Sequence, residues 1–185
     1  MKTPLLGIPT VSTLAPPCFV AGTPVWTDKG LVPIEKITVG DWVLSYPDNQ
    51  IPPAHLRTDT EYTYRRVTQT FVHEGSAICK VTIFNFATNS EEVLRVTLNH
   101  AFFVKREGWV PASALNFTCP LENAQFGNLA VGGVERVNEK ARVYNFEVEE
   151  FHTYYAGELG VWVHNSCNSI SGCYAQPIVP GDAAR

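Results

Sequence analysis

Glycine, proline, asparagine and aspartate interrupt this chain so often that no stretch sustains a helical pattern beyond two turns. What lies between the interruptions is short, rich in β-branched and aromatic residues, and often alternating apolar and polar, the signature of β-strands. Cys18–Thr27 reads as a short strand, a turn and a second strand, and Asp28-Lys29-Gly30 as the next turn. Leu31–Ile37 is too short and too proline-marked for a long helix, and Asp41–Tyr46 is another strand. Further strands are expected at Tyr64–His73, Ala77–Ala87, Glu92–Lys105, Leu129–Val137 and Arg142–Glu149, with Thr88-Asn89-Ser90 as a hairpin turn. Tyr154–Ala156 and Val161–Val163 flank Gly157-Glu158-Leu159-Gly160. The fold class is therefore all-β.

The strand pattern starts at Cys18 and stops after Val163, within 185 residues. Residues 1–17 read as an extended lead-in closed by Pro16-Pro17, residues 47–60 as a surface loop, and residues 166–185 as a tail. One domain between two flanks is the expected organisation. Charged residues are 17% of the chain and the net charge is −4. No basic run interleaves with aromatics, so a nucleic-acid surface is not expected. No apolar run is long enough to span a bilayer as a helix, so no membrane partner is expected either. The five cysteines are scattered and odd in number, without a C-x-x-C, which predicts neither a disulfide scaffold nor a metal site.

Four local features stand out: Cys18 directly after Pro17, Thr97-Leu98-Asn99-His100 within a strand, His152 after the strand Val143–Val148, and His164-Asn165-Ser166 at the end of the folded region. Singly, each has an ordinary structural reading. Thr97 and His100 cannot even share a face of a straight strand, whose side-chain period is two, unless the strand turns between them. Their order, with Cys18 as the first residue of the fold and Asn165 as the last, adds up to more. With Cys18–Thr23, Ile34–Asp41, Val96–Val104, Gly108–Ala112, Val143–Val148, Phe151–Tyr155 and Val161–Asn165, the chain resembles the Hint superfamily of hedgehog and intein domains. The Gly157–Val161 loop before His164-Asn165 is most similar to the bacterial intein-like and pretoxin-Hint branch.

The resemblance implies a compact, horseshoe-like disc of curved strands with the two scissile junctions close together. It divides the chain into an N-terminal flank 1–17, an autoprocessing domain 18–165 and a C-terminal flank 166–185. It implies a single-turnover protein acting on its own flanking polypeptides, as a monomer and without a cofactor. The Cys18 thiol would attack the Pro17 carbonyl to give a thioester, with thiolate available near neutral pH. His100 would protonate the leaving nitrogen, and Thr97 would help hold the scissile peptide and its oxyanion. Asn165 would cyclise to a succinimide and cut the bond to Ser166, with His164 polarising the carbonyl and His152 as proton donor or shuttle. Asn145 stands where many inteins carry an aspartate that assists the first step.

Asn145 cannot serve as a carboxylate base, and the ring of Pro17 stiffens the acyl donor. Both slow the expected attack at Pro17–Cys18 and leave Asn165–Ser166 untouched. The leading reading is cleavage at Asn165–Ser166, releasing a downstream toxin from a precursor that the pretoxin likeness would make secreted or surface-delivered. The alternatives are full splicing of 1–17 to 166–185, with Ser166 as acyl acceptor, and a degenerate Hint fold serving as a spacer or binding module.

Overall fold

A computed structural model describes residues 16–50, 52, 63–125 and 127–165. Among the described residues, twelve strands form one continuous sheet: β1 (Phe19–Val20), β2 (Pro24–Thr27), β3 (Gly30–Pro33), β4 (Trp42–Ser45), β5 (Thr63–Asn85) and β6 (Ser90–Thr97) come first. β7 (Ala101–Val104), β8 (Gly108–Pro111), β9 (Pro120–Leu121), β10 (Leu129–Val148), β11 (Thr153–Ala156) and β12 (Val161–His164) follow. Among the described residues the helical elements are two single 3₁₀ turns, Ile34–Lys36 and Ala112–Ala114. Each follows a proline, at Pro33 and Pro111, which presets φ for the turn, and each ends where the next residue, Ile37 or Leu115, returns to extended backbone.

The strand order runs β11-β12-β7-β9-β10-β1-β6-β5-β4-β2-β3, with β8 paired to β7. A further pairing of Ala156 in β11 with Val25 in β2 joins the two ends of this path. The sheet thus curls back on itself, and the last strands of the chain lie beside the first. Its interior holds a main core that includes Phe19, Phe102, Phe146, Tyr154 and the valines of β12. A second core of Leu44, Phe103, Tyr155 and Trp162 packs on the other face. β12 is buried on both sides, Val161 and Val163 facing the first core and Trp162 the second. That burial rigidly places the residue that follows, Asn165.

Two details differ from the strand-by-strand expectation. The segments expected as separate strands at 64–73 and 77–87, and at 129–137 and 142–149, are two unbroken strands, β5 and β10, paired along their length. Bulges absorb the irregularities that broke the sequence pattern. At one of them Ser76 pairs with Ala141 and His73 with Val143, with Gly75 at φ +64° supplying the kink. Conversely, 92–105 is not one strand. It divides into β6 and β7 at a turn closed by the His100 N–H donating to the Thr97 carbonyl (3.1 Å). That turn is what lets Thr97 and His100 serve the same side.

The β11–β12 turn is fastened by Glu92 on β6. Its carboxylate accepts from the N–H groups of Glu158 (2.7 Å) and Leu159 (3.0 Å). Gly157 has φ +80°, and a Cβ there would meet Glu92 Oε2 at 2.6 Å. Gly157→Ala combines left-handed strain with displacement of a pinned carboxylate. A loss of about 2 kcal/mol or more, roughly 4–8 °C in Tm for a domain of this size, is expected. A thermal melt within a degree of the parent would refute it.

Candidate functional site

β1 is only two residues long, yet it fixes the site. Phe19 pairs with Val96 of β6 on one side and with Tyr144 of β10 on the other. One residue back in that register, Cys18 falls between Thr97 and Asn145. The Cys18 N–H donates to Thr97 Oγ1 (2.9 Å), and the Thr97 N–H donates to the Cys18 carbonyl (2.9 Å). The Thr97 hydroxyl donates in turn to the Pro16 carbonyl (3.2 Å). Thr97 therefore grips the Pro17–Cys18 amide at its nitrogen. The Pro17 carbonyl oxygen goes to another residue.

That residue is Asn145. Its Nδ2 donates to the Pro17 carbonyl (2.7 Å) and also to the Asn165 carbonyl (2.5 Å). An amide NH₂ carries two hydrogens, one for each oxygen. The Pro17 and Asn165 carbonyls, far apart in sequence, thus meet on a single side chain. The Tyr154 hydroxyl donates to Asn145 Oδ1 (3.3 Å) and so fixes which end of the amide faces the carbonyls. Asn165 is further held by its own N–H, which donates to the His152 carbonyl (2.9 Å).

The side chain of Asn165 is treated differently. Nδ2 and Oδ1 are both buried and, among the described residues, neither has a hydrogen-bond partner. A buried unsatisfied amide costs roughly 1–3 kcal/mol and needs a reason.

His100 is fully buried, its ring edge-on to Phe19 at 4.3 Å between centroids. Neither ring nitrogen has a partner of good geometry among the described residues. Burial, reinforced by the nearby His164, pushes its pKa down to about 3, with the Pro17 carbonyl opposing weakly. Burial likewise pushes the Cys18 thiol up to about 12. Cys18 is thus a neutral thiol and His100 a neutral imidazole near neutral pH, and the thiolate expected from the sequence is not present in this state. Cys18, Cys79 and Cys119 are all free thiols.

His100 also gives the domain an acid-sensitive stability. Unfolded, a histidine titrates near ~6.5; folded, this one resists protonation down to about 3. The unfolded state therefore binds the extra proton in that window. Stability is full above the unfolded value and falls as pH drops below it, by up to about 1.4 kcal/mol per pH unit. Asp41 and Asp48, both lowered by hydrogen bonds, act in the same direction at lower pH, while Glu92, raised by burial, opposes them. Urea unfolding at a series of pH values checks this. The slope should shrink in His100→Gln, and an unchanged slope would overturn the assignment.

The other two candidate histidines, His152 and His164, each face a carboxylate that the sequence did not single out. His152 Nδ1 lies 2.5 Å from Glu147 Oε1, and the residue holds φ +54°, unusual for a side chain with a Cβ. Its ring is turned to Glu147, and what it lends directly to Asn165 is its backbone carbonyl. His164 Nε2 lies 3.2 Å from Asp48 Oδ2. Asp48 sits in Pro47-Asp48-Asn49, which reads as a plain turn, and Glu147 in an alternating strand. Neither offers a local signal. Tyr154 falls within a largely apolar stretch, and its hydroxyl contact is equally invisible in sequence. Ser166, Cys167 and Cys173 lie outside the described residues, as does most of each flank. Among the described residues no cluster of metal-ligating side chains occurs.

The sequence model of the pretoxin Hint domain matches residues 25–166. No curated protein matches the chain in sequence. Among solved structures, the bacterial intein-like domain from Clostridium thermocellum is 35% identical, with a TM-score of 0.64 over 80% of this chain and 98% of that one. The gp41-1 intein is 22% identical (TM-score 0.60, 80% and 98% covered). The DnaB intein from Synechocystis sp. PCC 6803 is 12% identical (TM-score 0.62, 82% and 99% covered). The last two speak for the fold alone, the Hint disc. With the family model spanning most of the chain and a 35% identical relative covered almost end to end, this chain belongs to the pretoxin Hint domain family, self-processing domains of the protein-splicing type.

Proposed function

We propose that residues 18–165 form a single-turnover domain whose main reaction is cleavage of Asn165–Ser166 by asparagine cyclisation, freeing the polypeptide downstream. The observation that carries this is the contrast at Asn165: its carbonyl is held by Asn145 Nδ2, while its side-chain amide is buried without a competing partner. Nδ2 of Asn165 attacks its own carbonyl carbon and a C–N bond forms. The oxyanion that develops sits against the Asn145 amide, in the role of an oxyanion hole. The peptide bond to Ser166 breaks, and the proton lost from Nδ2 ends on the departing amine. Histidine at 164, adjacent to the bond, is the natural carrier for that proton.

Activation at Pro17–Cys18 is the slower step in this reading. It requires the Cys18 thiol to lose its proton, its sulfur to attack the Pro17 carbonyl carbon, and the proton to reach the Cys18 nitrogen. A thiol pushed up to about 12 and an imidazole pushed down to about 3 are poorly matched for that exchange. The reason for favouring self-processing over an inert spacer is that both junction carbonyls converge on one donor, an arrangement that packing alone does not call for. In the family setting the substrate is the precursor's own flank, and the released segment would be a toxin.

Intact-mass spectrometry of the purified chain over time, with and without dithiothreitol, tests this. Loss of a peptide beginning at Ser166 without thiol is expected, with slower release of residues 1–17 only when thiol is present. A ligated product of 1–17 with 166–185 would establish splicing instead. An intact mass after prolonged incubation across mildly acidic to mildly alkaline pH would leave the spacer reading.

A further inference from the structure

We propose that Asp48 is a positioning residue for cleavage at Asn165–Ser166: it fixes the ring of His164 so that Nε2 carries the hydrogen and Nδ1 is the basic nitrogen. The proposal rests on the reading of His164 given above and specifies the form in which that histidine works. Asp48 Oδ2 and His164 Nε2 are 3.2 Å apart, with both side chains mostly shielded from solvent. The hydrogen bond from His164 is the largest influence holding the Asp48 carboxyl below its ordinary value, so near neutral pH it is ionised. An ionised carboxylate only accepts, hence the facing ring nitrogen must donate.

The contact is built into the fold. Trp109 Nε1–H donates to the Asp48 backbone carbonyl (3.2 Å), and the same indole stands edge-on to the His164 ring at 5.0 Å. Trp109 is itself seated against Phe103 and Trp162 of the second core. One tryptophan therefore braces the Asp48 backbone and the His164 imidazole against the same support. The arrangement follows the logic of a base oriented by a third group. As Asn165 Nδ2 attacks, its proton passes to His164 Nδ1, and the imidazolium so formed faces the Asp48 carboxylate. The proton then goes to the departing nitrogen of Ser166, and His164 returns to neutral. No other reactant is needed. Among the described residues, titratable groups around this pair include His152, whose charge also acts on Asp48, its partner Glu147, and the neutral His100.

The test uses the full chain and compares tail release with thiol-induced release of residues 1–17 in Asp48→Ala, Asp48→Asn and Asp48→Glu. Asp48→Ala is expected to slow tail release by about tenfold or more, as loss of an orienting carboxylate does elsewhere. Thiol-induced release should stay within about twofold, and Asp48→Glu should recover most of the loss, which a merely structural role would not predict. In a His164→Ala background, Asp48→Ala should add no further slowing. Trp109→Phe, which keeps the ring but loses the bond to the loop, should slow tail release in the same selective way. Wild-type tail release in Asp48→Ala, or an equal further loss in the His164→Ala background, would overturn the proposal. Undiminished tail release in His164→Ala alone would instead sink the underlying reading of His164.

Discussion

In Asn165→Ala, the segment that follows residue 165 stays attached, while thiol-induced release of residues 1–17 continues. Alanine has no nucleophile, so the intramolecular route at that carbonyl is gone and only ordinary peptide hydrolysis remains. The N-terminal junction keeps its contacts, since Thr97 on the Cys18 nitrogen and Asn145 on the Pro17 carbonyl do not involve the Asn165 side chain. The same substitution bears on stability. It removes two buried polar atoms that have no partner among the described residues. Such a group costs roughly 1–3 kcal/mol to bury, so the variant should melt about 2–4 °C or more above the parent. A side chain that costs stability and abolishes the reaction when deleted is held for function. Mass spectrometry and a thermal melt on one sample check both halves. Tail release at an undiminished rate would dismiss the succinimide route, and a lower melting temperature would mean that the Asn165 amide is satisfied in solution.

Much of the fold was legible because its strands announce themselves one at a time. Alternation and turn residues marked the hairpin that closes at Asn85 and Ser90 and the β11–β12 pair around Gly157–Gly160. What local pattern cannot show is continuity through a bulge, which is why β5 and β10 each read as two strands. The candidate site residues stood out for another reason: Cys18, His100, His164 and Asn165 are residue types with recognisable chemistry, set at matching places in a family pattern. Their partners were not. Asp48, Glu147 and Tyr154 matter only through contacts made across the closed sheet, with Asp48 separated from His164 by most of the domain. Protonation states are equally non-local. Nothing next to Cys18 or His100 in sequence foretells the burial that holds one as a thiol and the other as a neutral ring.

Replacing Asn145 should be the most damaging change that leaves both nucleophiles in place. Asn145→Leu keeps the size and removes both hydrogens, so the Pro17 and Asn165 carbonyls lose their shared donor together. Loss of one oxyanion-hole donor costs about 10²–10³ in rate, and tail release should fall by at least that. Thiol-induced release of residues 1–17 should fall in parallel, because the second hydrogen is lost with the first. Asn145→Asp then separates donor from base. As an ionised carboxylate it accepts only, and it would face two carbonyl oxygens, so tail release should stay as low as in Asn145→Leu above the carboxylate range. As pH falls and the side chain gains a proton, it regains one hydrogen and tail release should partly recover. At the other junction the same carboxylate can take the proton of the Cys18 thiol, so N-terminal release should not be depressed in step. The two junctions, which slow together in Asn145→Leu, should therefore part in Asn145→Asp. Two profiles that rise and fall together in both variants would mean that Asn145 only packs the site, and that the hydrogen bonds it makes to the two carbonyls do not reach the transition states.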